Sequence, residues 1–163
     1  MIYDAVEQAY AVVSANFATD FAALVAAKGV TGTQPVQTIV KRQTAELYVS
    51  LNAVLPAIGV YGLEARTQAK LQTVRDNECV LVFDYYAEGT DPVAVAKQVE
   101  LAAEALLMSV DRISSAASGL FGAGELLGAV RVVLTEGFVE ATQGTYARRA
   151  QVTFTAQDRD TGL

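Results

Sequence analysis

The N-terminal residues carry apolar side chains at the spacing of an amphipathic helix. These side chains follow one another in steps of three or four, which places them on a single helical face. They are Tyr3, Val6, Tyr10, Val13, Phe17, Phe21 and Leu24. Lys28 and Gly29 predict the end of this helix, because a cation is favoured in the last turn and glycine readily adopts the left-handed conformation beyond it.

A second helix is predicted over residues 35–55, with Pro35 in its first turn and Pro56 directly after its end. Apolar residues again recur along this segment at mostly helical spacing. They are Val36, Ile39, Val40, Leu47, Leu51 and Val54. Residues 1–55 are therefore predicted to form a helical N-terminal part.

The hydrophobic period changes to two after Pro56. Within residues 57–88, three strands are predicted over 57–65, 67–74 and 79–86, and the polar cluster "RDNE" at 75–78 predicts a turn between the last two. The third segment, "CVLVFDYY", is apolar on both of its alternating rows. This pattern is typical of a central strand whose two faces are covered, either by its own chain or by a neighbouring subunit.

Residues 91–115 are predicted to form one long helix that packs across the sheet. Asp91 or Thr90 is suited to cap its N-terminus, and Pro92 is suited to its first turn. The predicted buried stripe comprises Val95, Val99, Ala102, Leu106, Val110 and Ile113.

A glycine-rich loop is predicted over 116–128, followed by a C-terminal hairpin over 129–159. The last strand alternates strictly between apolar and polar residues, as expected of a strand with one buried face. The predicted element order is α-α-β-β-β-α-β-β. Short connections between consecutive strands indicate a single α+β domain over 1–163, with an antiparallel or mixed sheet of about five strands and the helices on one face.

Composition narrows the range of functions. The net charge is −6 and the isoelectric point is near 4.6, which argues against a protein that grips nucleic acid by its phosphates. The chain has no histidine, so the most common general base and metal ligand are missing. The single cysteine, Cys79, lies in an apolar run and is predicted to be a buried small hydrophobic residue.

The N-terminus indicates a cytoplasmic origin. It carries Asp4 and Glu7 and lacks a basic region, so we do not expect a secretory signal. No apolar run approaches the roughly 18 to 20 residues of a membrane span, so no contact with a membrane is expected.

Asp84, Tyr85 and Tyr86 are the first candidate for chemistry, since a carboxylate beside a phenol could transfer protons. Neighbours on a strand point to opposite faces, so Asp84 shares a face with Tyr86 and not with Tyr85. Without histidine no partner base can be named. We therefore interpret this site as a strand end with an acid that is solvated or lies in an interface.

A glycine-rich stretch and a pair of arginines are the other candidates for a functional site. The stretch "GAGELLG" is one residue too long for a dinucleotide fingerprint, and no strand leads into it. Arg148 and Arg149 are adjacent on a strand and face opposite ways, so each is expected to make an ion pair at the surface or in an interface. The sequence predicts no catalytic, cofactor or metal site.

The order of these segments resembles that of a known family. A strand and polar hairpin, "IGVYGLEARTQAKLQTVRDNECVLVFDYY", follow an N-terminal helix and precede one long helix, "DPVAVAKQVELAAEALLMSV". An alternating strand, "RRAQVTFTAQDRD", ends the chain. This architecture resembles the tail terminator (tail completion) proteins of tailed bacteriophages and related phage-derived particles.

The resemblance implies a structural virion protein, assembled in the host cytoplasm, that forms a ring, typically a hexamer. Such a ring caps the tail tube, contacts the head-side connector or neck proteins, and lets DNA pass through its lumen without sequence-specific binding. An acidic protein around a channel would repel phosphate, which suits passage.

Eight residues are expected to contact other subunits or partners. They lie in the predicted hairpin, at the end of the central strand, at the tip of the glycine-rich loop and in the last strand. They are Arg75, Asp76, Asp84, Tyr86, Leu120, Phe121, Arg148 and Arg149.

Three alternatives remain at this point. A head-side connector or stopper protein is the nearest, because such proteins also form rings. A small ligand-binding protein or enzyme would instead enclose an apolar pocket lined by four aromatic residues. These are Tyr61, Phe83, Tyr85 and Phe154. A dimeric bacterial α+β domain is the third.

Overall fold

The described residues fold as an α+β protein with two helices and a five-stranded mixed sheet. The structure, a computed structural model, describes residues 2–42, 44, 55–71, 74–114, 125–136 and 144–160. In chain order the elements are α1 (Ile2–Lys28), β1 (Thr38–Lys41), β2 (Ala57–Leu71), β3 (Val74–Gly89), α2 (Pro92–Ser114), β4 (Glu125–Glu136) and β5 (Tyr146–Asp160). The predicted fold class is confirmed.

The strands are ordered β1-β2-β3-β5-β4 across the sheet. β1 pairs with β2 in parallel, and each of the other neighbouring pairs is antiparallel. β3 lies at the centre, as its two apolar rows predicted. Its register places Phe83 opposite Val60 of β2 and Val152 of β5.

Both helices pack against the same face of the sheet and enclose the main core. Strand alternation places every second residue of β3 in this core. These residues are Cys79, Leu81, Phe83, Tyr85 and Ala87. The predicted buried stripe of α2 is confirmed at all six positions, and the burial of Cys79 is confirmed as well.

The ends of both helices follow the chemistry expected from the sequence. The Gly29 N–H bonds to the Ala26 carbonyl and the Val30 N–H bonds to the Val25 carbonyl, with Gly29 at a φ of 63°, which is a Schellman motif. At the start of α2, the Asp91 Oδ1 accepts the Val93 N–H at 2.9 Å and the Ala94 N–H at 3.3 Å. Asp91 is therefore the N-cap.

The predicted second helix is wrong where the structure describes it. Residues 38–41 form β1, which pairs in parallel with β2, so that Ile39 lies opposite Ile58. The β-branched run "TIV" suits a strand, and pairing with β2 outweighs the helical spacing of its apolar residues. Residue 43 and residues 45–54 of the predicted helix lie outside the described residues.

The predicted turn at 75–78 is also wrong. β2 continues without a break to Leu71, and residues 75–78 are part of β3. Each of these polar residues lies opposite a residue of β2 and a residue of β5. Backbone hydrogen bonds to both neighbours can hold a segment in a strand even where its side chains are polar. In the same way, residues 125–128 belong to β4 and not to the predicted loop.

Helix α1 corrects one expectation from composition. By length and composition, Ala5–Lys28 could cross a membrane, so the expectation that no segment is long and apolar enough was wrong. In this fold one side of the helix packs against the core, where Val13 and Phe17 are fully buried, and 28% of its apolar window is buried in all. Its buried Asp20 accepts a bidentate ion pair from Arg112 of α2, with Nη2 to Oδ1 at 2.8 Å.

Candidate assembly surface

The face of the sheet turned away from α1 and α2, here called the outer face, carries the second row of the central strand. Residues of three neighbouring strands meet on it through the sheet register. From β2 to β5 they are Ala57, Gly59, Tyr61, Val82, Asp84, Tyr86, Ala147, Arg149 and Gln151. The register confirms that Asp84 shares a face with Tyr86 while Tyr85 lies in the core.

Asp84 and Arg149 form a bidentate ion pair in the middle of the outer face. The Arg149 Nε donates to Asp84 Oδ1 at 2.5 Å, and Nη2 donates to Oδ2 at 3.0 Å. The Asp84 side chain is 0% exposed and that of Arg149 is 18% exposed. A buried carboxylate is tolerated only when it is paired and hydrogen-bonded, and the planar guanidinium satisfies both oxygens at once.

Tyr61 and Gln151 adjoin this pair. The Gln151 Nε2 donates to the Tyr61 hydroxyl oxygen at 3.1 Å. Burial raises the pKa of the Tyr61 phenol, and the negative charge of Asp84 raises it further. The phenol therefore stays neutral at physiological pH and acts as a hydrogen-bonding group, since a phenolate beside Asp84 would add a second negative charge.

Tyr86 ends the buried row of the outer face. Its ring packs with Ala57 and Ala147 in a small apolar cluster, and Leu55 lies against this cluster. The Tyr86 hydroxyl donates to Glu88 Oε1 at 3.1 Å. An apolar ring with a polar tip is the arrangement typical of tyrosines that lie where a buried surface meets water.

The structure brings together three of the eight predicted contact residues. Asp84, Tyr86 and Arg149 share the outer face, whereas Arg148 pairs with Ala87 in register and belongs to the opposite face. The prediction that the two arginines face opposite ways is thereby confirmed.

Of the other four predicted contact residues, two lie far from this site and two lie outside the described residues. Arg75 and Asp76 lie opposite Asp160 and Arg159 of β5, nine and eight residues from Asp84 along β3. That separation is about 30 Å at roughly 3.3 Å per residue. Leu120 and Phe121 lie outside the described residues.

The apolar pocket considered for a small ligand is not formed. Phe83 and Phe154 pack against each other with ring centroids 5.0 Å apart, and Tyr85 packs against Phe17 at 5.9 Å. These rings fill the core, and Tyr61 lies on the opposite face of the sheet.

Polar contacts of Gln98 that the sequence did not reveal tie α2 to the sheet and to the connector after α1. The Gln98 Nε2 donates to the Tyr85 hydroxyl oxygen at 2.7 Å, and the Gln34 N–H donates to Gln98 Oε1 at 3.0 Å. Burial raises the pKa of the Tyr85 phenol. For the neighbours of Asp84, strand alternation is the one sequence signal that could have placed Tyr61 and Gln151 on the same face as Asp84. No local pattern predicts the Gln98 contact.

An apolar cavity of about 410 Å³ lies between the second half of α1 and the connector that follows it. Phe21, Val25, Val30 and Val36 contribute to its walls. Its polar side chains are two threonines, Thr31 and Thr33. It therefore lacks a charged group to orient a ligand.

The polar groups at the centre of the outer face are thus satisfied, and Val82, Asp84 and Tyr86 are already buried within the single chain, so Asp84 is not the solvated acid considered from the sequence. Among the described residues, no group of three or more potential metal ligands is present. The carboxylate considered for proton transfer, that of Asp84, is bound by the permanently charged guanidinium of Arg149. This arrangement suits a structural surface better than a reacting one.

We compared the chain with models of protein families and with curated proteins. The chain matches no model of a protein family, and no curated protein matches it significantly. Fold and surface together define an α+β protein whose mixed sheet carries both helices on one face.

Proposed function

We propose that the chain is a structural assembly protein of a phage tail: a tail terminator that forms a ring, caps the tail tube and joins it to the neck. The observation that carries this proposal is architectural. A long helix, α2, crosses a sheet that is closed by the C-terminal β4–β5 hairpin, in the order on which the family resemblance rests.

The outer face supports a role without turnover. Its central acid, Asp84, forms an ion pair with Arg149, and Tyr61 stays protonated beside this pair. A fixed pair of this kind gives a surface a defined shape, because the guanidinium fork and the carboxylate accept few relative geometries.

The overall charge supports the passage of DNA through a ring. A net charge of −6 on each copy would surround a lumen with negative potential that repels phosphates. The partners in this proposal are further copies of the chain, the tail tube protein and the head-side neck proteins.

Mass photometry of the purified chain, alone and with tubes assembled from a phage tail tube protein, tests the proposal. We expect a species about six times the chain mass of 17.2 kDa, and negative-stain images with density at one end of each tube. A chain that stays monomeric at every concentration and never binds tube ends would refute it. Binding only to connector rings would favour a neck protein.

A further inference from the structure

Strand β4, at one edge of the sheet, exposes two large aliphatic side chains. Val132 is 39% exposed and Leu134 is 47% exposed. They lie opposite Val152 and Ala150 of β5, so both belong to the face that bears the helices. An edge strand offers unpaired backbone groups to a strand of another chain, and uncovered aliphatic side chains favour such pairing.

The opposite end of the sheet supplies a matching strand. β1 is parallel to β2, and β2, β3, β5 and β4 alternate in direction, so β1 and β4 run in opposite directions. A second copy placed beside the first in the same orientation therefore brings its β1 antiparallel to β4. The helices of both copies then lie on the same side of one continuous sheet.

The side chains of the two strands are complementary in one register. Ile39 and Lys41 lie on the helix-bearing face and Val40 on the outer face, because they pair with Ile58, Val60 and Gly59. Placing Val40 opposite Val133 puts Ile39 opposite Leu134 and the aliphatic stem of Lys41 opposite Val132. Cross-strand aliphatic pairs of this kind stabilise antiparallel strands.

We propose that β4 of one copy pairs with β1 of the next copy, with Val133 opposite Val40. This rests on the proposed function and identifies the contact that builds its ring. The occupant is a second copy because both complementary strands belong to the same chain. Two different surfaces that meet head to tail produce a closed ring when the rotation between copies closes.

Cysteine cross-linking tests the register. Directly opposed residues have β-carbons about 4.5 to 5.5 Å apart, close enough for a disulfide after small adjustments. We expect a covalent dimer when Val40→Cys and Val133→Cys proteins are mixed under mild oxidation, and a ladder of covalent oligomers from the double variant. The wild-type chain is the control, because its Cys79 is buried.

The outcomes separate this inference from the proposed function. Cross-linking of Val133→Cys to itself would replace the pairing with a two-fold contact between two β4 strands and overturn the inference. Rings that form without the expected cross-link would overturn it too, and would leave the terminator proposal standing. A cross-link without rings or tube binding would support the contact and refute the terminator.

A second variant guards against misfolding as an explanation. Leu134→Lys places a charge in the proposed contact, yet Leu134 is half exposed in the single chain. We expect ring dissociation to increase by about tenfold or more, with an unchanged melting temperature of the monomer. Val93→Lys, at an exposed position on α2, is the matched control and should leave association unchanged.

Discussion

Asp84 is a candidate for proton transfer in the sequence, but in the fold it forms a buried ion pair with Arg149. Its carboxylate lies in the most buried part of the outer face, and its position depends on Arg149. A buried pair of this kind adds little net stability, but losing one member leaves a charge without compensation.

Replacing Arg149 by Met should destabilise the chain by about 3 to 5 kcal/mol, because Asp84 would stay buried after losing its bidentate guanidinium partner. Urea denaturation followed by circular dichroism measures the change. Lys97→Met, at an exposed position of α2, is the control and should change stability by less than about 0.5 kcal/mol.

The double variant Asp84→Leu with Arg149→Met should recover most of the loss, since an apolar pair needs no charge compensation. Equal destabilisation by the single and double variants would mean that the side chain of Arg149 contributes mainly by packing.

Gly89 is the second residue whose identity the packing determines. A β-carbon at this position would lie 2.8 Å from Cγ2 of Val95, closer than two carbons approach without displacement. We expect Gly89→Ala to cost about 1 to 3 kcal/mol. Combining it with Val95→Ala should make the two changes less than additive in thermal denaturation. Strict additivity would show that the contact with Val95 is not the cause.

Elements with strong local signals could be predicted from the sequence. Helix α2 has a cap, a proline in its first turn and a regular apolar stripe, and it forms as predicted. β5 alternates strictly, and its apolar row is buried. In these segments local preference and tertiary packing favour the same structure.

Elements that depend on distant partners could not be predicted. β1 is a strand because β2 provides a parallel partner, and no local pattern announces a parallel neighbour. The turn between β2 and β3 was misplaced because polar residues inside a strand resemble a turn. The Asp84–Arg149 pair needed the β3–β5 register, which brings together residues 65 positions apart.

The cap of α2 provides a test at this scale. Asp91→Ala removes the acceptor for the Val93 and Ala94 N–H groups and should cost about 1 kcal/mol, whereas Asp91→Ser keeps a capping oxygen and should cost less. The melting temperatures of the two variants, compared with the wild type, measure the difference. Equal losses would indicate that the charge of Asp91, and not its capping bonds, stabilises the helix.

Across the whole molecule, one carboxylate joins the first helix to the first strand. Glu7 of α1 accepts bonds from Lys41 Nζ at 2.8 Å and from Arg42 Nη2 at 2.7 Å, and Lys41 also lies 4.9 Å from the centre of the Tyr10 ring. The hydrogen bonds from Lys41 and Arg42 lower the pKa of Glu7 below its ordinary value of 4.5.

This shift sets a pH dependence. Because the folded chain lowers the pKa of Glu7, the stabilisation is fully present above pH 4.5 and is lost as the pH falls through the folded value. Glu7→Gln should therefore lower stability slightly at pH 7 and flatten the fall of stability below pH 4.5. Melting temperatures from pH 3 to 7 measure it, with Glu100→Gln on α2 as the control. Parallel curves for Glu7→Gln and the wild type would contradict this assignment.

The placement of β5 beside the central strand has a consequence for the timing of folding. β3 pairs with residues that follow it by 57 to 85 positions, so the centre of the sheet cannot be completed while the C-terminus is still being synthesised. Such distant pairing forms late, because the chain must close a long loop first. β4 joins the sheet only through β5. In the proposed ring, β4 would therefore be placed for contact with a second copy only after β5 has been synthesised and has paired with β3.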